Sequence, residues 1–419
     1  MQRRLLSLAS VALCLLLVRT SWADGVILNG VSAQTIGRGG TNIAHVDNGT
    51  ILHDNPAGMT MIDSHSMFEV GGTLLLTDFE YGDRQNAEQT QNRAYGLAEF
   101  SLIRRSCDGR WAAGFGVFSP AGFGSIYDLE PLPPFPGPQR YKSFGTLVKL
   151  LPGLAYRPTD RLSIGATLGV GITIADLEGP YVLQGPSVLR GTPTLLDLDA
   201  DGAALVWSLG LLYEVSDRSS LGVSYQSEAR FRADGQTLAT VPGLGQSFYD
   251  TQLDITWPRS LGLGVRHELC EHRIVSTDVI WYDWSSAFDS FGIHQSNPSN
   301  AFFPAFSEQF PLDWRDTVSV RVGFEQRVGC DQTLRLGYVY HRVPIPTSTI
   351  TPFIPASLEH AFSTGYGWRL CDWDVNVAYM YTFGPEVAVQ TSGLVGGDFD
   401  QSQHRAQTHA ISLSLLRRF

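Results

Sequence analysis

From Leu162 to Ile174 the chain alternates without a slip: Leu162, Ile164, Ala166, Leu168, Val170, Ile172 and Ile174 take one face, Ser163, Gly165, Thr167, Gly169, Gly171 and Thr173 the other. A period of two is a β-strand, and this one outruns the five or six residues usual in soluble sheets. The pattern returns at 203–215, 219–231, 315–328, 332–342 and 372–383, and about fourteen such segments can be counted along the chain. The chain also ends on one: Ile411, Leu413 and Leu415 oppose Ala410, Ser412 and Ser414, and the last residue is Phe419. A terminal strand of this kind closes outer-membrane barrels and is the segment that barrel-assembly machinery would engage. The expected fold is therefore all-β, a transmembrane antiparallel β-barrel of about 14 strands.

The other end agrees. Arg3 and Arg4 precede an apolar run from Leu5 to Val18, and Ser21-Trp22-Ala23 offers small residues for cleavage, so residues 1–23 read as a secretory signal. No later stretch gives about twenty unbroken apolar residues, which excludes a helical span. Removing Arg3, Arg4 and Arg19 takes the formal charge from −11 to −14, a poor match for nucleic acid. The 43 glycines, many alternating with Leu, Val, Tyr or Phe, suit tightly packed strands and would weaken long helices.

Short polar turns fall at 106–109, 157–160, 216–219, 270–272, 328–331 and 370–372, and long connections at 78–92, 119–143, 179–200, 232–249, 285–314, 343–356 and 384–405. Periplasmic turns opposite long outer loops are the asymmetry of a barrel in the bacterial outer membrane, and its lipid and lipopolysaccharide are the expected surroundings. Trp207, Tyr213, Tyr225, Phe324, Tyr338, Tyr379, Tyr381 and Phe383 sit often near strand ends, where aromatic girdles form. A soluble sandwich or propeller would alternate too, but would not combine long strands with a signal and a terminal Phe. Residues 24–65 lack strand periodicity and either hang free or enter the lumen, leaving 66–419 for the barrel.

Several outer connections are more apolar than water tolerates: Tyr181, Val182, Leu183, Leu195 and Leu196 in one, Leu238, Val241, Leu244 and Phe248 in the next. They line a substrate groove or pack on one another as a cap, and Phe302, Phe303 and Phe306 fit a cap better. Cys107, Cys270, Cys330 and Cys371 each precede an acidic residue in a predicted turn; they are free thiols, or Cys330 bridges Cys371. Catalysis finds no support: there is no Gly-x-Ser-x-Gly elbow, and His45, His53 and His65 lack metal spacing, so neither cofactor nor metal is expected.

Asn55-Pro56-Ala57-Gly58-Met59, with Asn29-Gly30, Gly37-Arg38-Gly39-Gly40, Ala44, Asp47 and Asn48 upstream, resembles the FadL-type (OmpP1/FadL/TodX) outer-membrane transporter family. The likeness continues through Leu221 to Ser227, Trp257-Pro258-Arg259-Ser260, Trp281 to Ser285, Trp314-Arg315-Asp316, Leu334 to Tyr338 and Val343 to Pro346. The resemblance implies a fourteen-stranded barrel with residues 24–65 as a plug, taking up long-chain fatty acids or hydrocarbons. It implies a path from an outer groove to an inner pocket and out sideways beside a kinked third strand. That strand runs from Trp111 to Ser119, then Pro120-Ala121-Gly122-Phe123-Gly124; Pro120 cannot donate to a ladder and Gly122 tolerates a bulge, so a lateral opening and a plain strand end both fit. Asn55, Pro56 and Ala57 would brace the plug near that kink, or form an ordinary turn. Arg315 aligns with a basic pocket residue and would clamp a carboxylate, or else pair with Asp316. A second basic position is absent at Ala175-Asp176-Leu177, which leaves room for neutral hydrocarbons.

Overall fold

The computed structural model describes residues 26–419 apart from 92 and 330; the expected leader, 1–23, lies outside the described residues. Fourteen strands form the wall: β1 Ser66–Gly82, β2 Ala94–Arg105, β3 Trp111–Leu129, β4 Gln139–Thr159, β5 Leu162–Val182, β6 Pro193–Ser216, β7 Ser219–Gln226, β8 Ser260–Cys270, β9 Arg273–Tyr282, β10 Thr317–Val328, β11 Gln332–Tyr340, β12 His360–Leu370, β13 Trp373–Phe383 and β14 Gln403–Arg418. Each pairs antiparallel with the next. β14 returns to β1 from Met67↔Arg418 to Gly82↔Gln403, so the sheet closes on itself. Leu168, Leu205, Leu209, Leu263, Ile411 and Leu413 are exposed on the outer face, while Ser163, Thr167, Ser208 and Ser412 are buried inside. Outward rings such as Trp111 on Tyr156 (4.4 Å) and Phe68 on Trp373 (6.1 Å) cluster beside the periplasmic turns.

The turns lie where the alternation put them, but three of the long connections do not. Segments 119–143, 179–200 and 232–249 are largely strand: β3 runs on to Leu129, and β6 begins at Pro193 and reaches 24 residues. Beyond the lipid the outward face becomes charged, with Asp197, Asp199 and Asp201 exposed, so the greasy-against-polar contrast fades while the strand continues. The expected strand 219–231 is split. Ser227 leaves β7, and Ala229–Val241 pairs with the outer half of β6 (Leu195↔Thr240 to Asp201↔Asp234) and with Gly245–Trp257. A second hairpin, Ser290–Ser296 with Phe306–Pro311, extends that outer sheet through Asp250↔Ser296.

Residues 26–62 pack inside the cylinder, and Asp63 to His65 lead out to β1. They carry helix α1 Ala33–Gly37, helix α2 Ile51–Asp54 and a 3₁₀ turn Pro56–Met61. Ser32 caps α1 in a capping box with Thr35, and every residue of α1 is buried. Glycines let plug and wall touch: a Cβ on Gly37 would stand 2.9 Å from the Cα of Gly365 on β12. Gly39, at φ +69°, donates its N–H to Ser363 Oγ at 3.1 Å. From the outer side, 341–359 also turns inward, with Ile345, Ile350, Phe353 and Ala356 buried and Ser125 Oγ donating to Pro352 O at 2.8 Å. Cys107, Cys270 and Cys371 are exposed free thiols; Cys330, the other half of the expected bridge, is outside the described residues.

Candidate functional site

Arg38 ties the plug to the wall. Its guanidinium, fully buried, donates to Glu325 on β10 at 2.7 Å, to Asp47 at 2.9 Å and to the carbonyl of Thr41 at 2.7 Å. Arg335 on β11 reaches the same Glu325 at 3.3 Å. Burial works against a charge on Asp47, but the Arg38 guanidinium outweighs it and holds that carboxyl well below its ordinary range. His45 stands 3.8 Å from both carboxylates, and burial, then the charge of Arg38, lowers it to about 3. His45, Asp47 and Glu325 are spaced closely enough to ligate a metal, yet their cation is already Arg38. On β9, Asp278 accepts from the backbone N–H of Asn42 (2.7 Å) and Ile43 (3.0 Å), a second anchor.

Asn55-Pro56-Ala57 braces a different wall from the one expected. Asn55 Nδ2 donates to Ile43 O at 2.7 Å and to Leu211 O on β6 at 3.1 Å, and the turn lies against Gly165 and Gly210, whose missing side chains admit it. The bend in β3 is held instead by the first described residues. Leu28 N donates to Pro120 O (2.9 Å), Gly122 N donates to Val26 O (3.1 Å), and Ile27 bridges Ala121.

At that bend the wall loses its ladder on one side. Pairing of β3 with β4 slips between Phe118 and Ala121 and then resumes to Leu129↔Gln139. Pairing with β2 stops at Glu99↔Phe118. Beyond that point the two sides meet through side chains and the outer turn: Ser119 Oγ donates to Ala98 O at 3.4 Å, Thr90 and Gln91 hydrogen-bond Ile126 at 2.8 to 3.1 Å, Gln91 Nε2 donates to Asp128 at 3.0 Å, and Asn86 pairs with the backbone of Glu130. Between these points β2 from Ala94 to Ala98 faces β3 without ladder bonds. Tyr95 spans the space, its ring over Gly124 and stacked on Phe144 at 5.8 Å.

Two apolar cavities meet at the bend and share Phe123 and Ile354. One lies among Val26, Leu28, Leu75, Phe79, Gly122 and Met380. The other lies among Phe144, Leu198, Trp257, Phe288, Phe291 and Leu312. Among the described residues no Lys or Arg lines either. A third, behind Ile27-Leu28, is the one that carries charged groups: Lys149, Asp54, Asp278 and Arg321. Lys149 Nζ donates to Gln226 at 2.8 Å.

Arg315 lies apart from all three. It is exposed just before β10, bonded through its backbone N–H to Pro344 O, and the inward basic residue of that strand is Arg321, three full alternations further on. Lys149 and Arg321 were not picked out in the sequence; Arg321 stands on a small, polar strand face with Thr317, Ser319 and Gly323, whereas Lys149 shares its face with Tyr141, Leu147 and Leu151. Val182, Leu183 and Leu196 are buried in the outer rim, where Tyr181 packs on Phe310 at 5.8 Å; Leu195 is half-buried, and Leu244 and Phe248 are exposed at a hairpin tip. The loop residues thus divide between a packed cap and a free tip and do not come together as one groove.

A family model described as outer membrane protein transport protein (OMPP1/FadL/TodX) matches residues 14–419. The chain belongs to this family. As an OMPP1/FadL/TodX protein it is a transport protein of the bacterial outer membrane, where its closed barrel resides. The solved structure of a Pseudomonas aeruginosa FadL homologue superposes with a TM-score of 0.78 at 18% identity, covering 94% of this chain and 100% of that one. The P. putida toluene transporter TodX gives 0.77 at 20%, covering 94% and 99%. The Ralstonia pickettii toluene transporter TbuX gives 0.76 at 18%, again covering 94% and 99%. No curated protein matches the chain.

Proposed function

We propose that this barrel takes up hydrophobic compounds, long-chain fatty acids among them, through an inner apolar pocket and a sideways exit at the bend of β3. The observation that carries the reading is the coincidence of three features at one place: the unpaired stretch between β2 and β3, the two apolar cavities joined at Phe123, and a plug whose first residues hold the bend. A hydrocarbon gains nothing from a watery bore, and moves down its own partition gradient when the wall opens to the bilayer core. For an acid, Lys149 sits across Ile27-Leu28 from the apolar cavities, so a tail in one and a carboxylate at the amine is a consistent pose.

Monoaromatic hydrocarbons are the second reading, favoured by the absence of Lys and Arg from both apolar linings and by the Phe and Trp rings that face the cavity behind Phe123. Cells lacking their own uptake protein, given this chain, should accumulate labelled oleate, toluene or both faster than empty-vector cells. Acceleration of a small sugar alone would reject both readings in favour of an aqueous pore.

A further inference from the structure

Two carboxylates buried where the plug meets the wall form no ion pair among the described residues; the cation that acts on Glu69 is Arg418, whose guanidinium is bonded to Asp374 and to Asp47 O. Glu69 on β1 and Glu99 on β2 are 1% and 4% exposed. The register gathers them. Glu69 is opposite Ser101, and Gly71 is opposite Glu99 on one side and Ser414 of β14 on the other, so all four side chains share the inner face. A Cβ on Gly71 would collide with Glu99 Oε1 and approach the Cβ of Ser414, so the Glu99 carboxylate lies across Gly71 toward β14. The plug covers the group with a glycine: Gly49 N donates to Glu69 Oε2 at 2.6 Å, and a Cβ there would run into Ser101 Oγ.

One backbone N–H does not satisfy this assembly. Both oxygens of Glu99 and Ser101 Oγ are buried with no hydrogen-bond partner, and Ser414 Oγ faces the Glu69 carboxylate. Unpaired buried charge is strongly disfavoured, and a buried hydroxyl without a partner adds to the cost. A shared proton would join one carboxylate oxygen to another and leave Ser101 Oγ and the remaining Glu99 oxygen unsatisfied. An ion of charge +2 would balance both carboxylates and accept the hydroxyl oxygens as ligands. An all-oxygen donor set without His or Cys selects a hard cation of the calcium or magnesium class.

We propose that Glu69, Glu99, Ser101 and Ser414 hold a divalent cation, calcium by preference, that fastens the plug turn at Gly49 to β1, β2 and β14. It is separate from the Arg38 cluster, and it does not rest on the identity of the transported compound.

The test uses the full chain refolded from denaturant into detergent without lipopolysaccharide, which binds calcium itself. After equilibration with calcium and gel filtration, metal analysis should find one ion per wild-type chain, and EDTA should lower its Tm. Glu99→Gln should lose the ion and its Tm should no longer respond to EDTA. Should Glu99→Gln fail to fold, Ser101→Ala with Ser414→Ala keeps both charges and should still raise the calcium concentration for half-saturation. A wild-type chain that retains no calcium or magnesium overturns the proposal, as does equal retention by wild type and both variants. A Tm set by pH and indifferent to calcium means that the carboxylates share a proton, which also overturns it.

Discussion

Arg38→Ala should loosen the plug. Arg38 is fully buried, and its guanidinium stands between Glu325, itself buried, and Asp47. Removing it leaves two carboxylates facing one another at the plug surface. Breaking a buried pair on one side costs about 3–5 kcal/mol, roughly a hundred- to several-thousandfold shift away from the docked plug. Asp47 is a third exposed and can turn to water, and Glu325 keeps Arg335 at 3.3 Å, which together place the cost at or below the lower figure. The barrel ladder contains none of these bonds, so heat-modifiable migration on a gel should persist. In planar bilayers the variant should show larger and noisier ion conductance, and protease should reach residues 38–60. Arg38→Met combined with Glu325→Leu removes one charge of each sign and should recover much of the loss. Wild-type conductance and wild-type protease resistance in Arg38→Ala would refute the assignment of Arg38 as the tie.

Gly122→Val would press a side chain against Gly145 O, 3.1 Å from its Cβ, and into the cavity beside Phe123; uptake of labelled toluene should fall while the gel shift stays normal. Lys149→Gln should slow oleate and spare toluene, and an equal loss of both would assign Lys149 to the architecture of the lumen. Tyr95→Ala should admit bulkier hydrocarbons by clearing the ring from Gly124, read as faster uptake of a two-ring aromatic relative to toluene. His45 stays neutral in the docked plug down to about pH 3, against an ordinary 6.5, and takes a proton once released. Docking is therefore at full strength above pH 6.5 and weakens as pH falls from there toward 3, so bilayer conductance should rise with acidification and His45→Gln should flatten that rise.

The barrel was legible because a membrane strand writes its two solvents into alternate residues, and the short turns between strands keep that register. The outer ends were not, since Asp197, Asp199 and Asp201 are as polar as a loop although they remain in the sheet. The bend was legible in Pro120 and Gly122, whose chemistry is local. What holds it was not: contacts of Val26 and Leu28 with Pro120 and Gly122 run between backbone atoms and leave no mark on residue type. For the same reason Asn55 could be recognised as a backbone-bonding side chain while its partner, Leu211 O on β6, could not. Arg315 drew attention by position in a motif, but the inner face of β10 is the one shared by Ser319, Arg321 and Glu325, and the phase of the strand puts Arg321 in the lumen.

A cross-link across the bend of β3 tests the proposed sideways exit. In a chain with Cys107, Cys270, Cys330 and Cys371 replaced by Ser, Tyr95→Cys and Gly124→Cys put thiols on opposite sides of the unpaired stretch. A short bifunctional thiol reagent should then stop toluene entry into cells without changing the amount of folded barrel, and a cleavable version should restore entry on reduction. Toluene entering the cross-linked chain at the uncross-linked rate would mean that the cargo leaves by some other way.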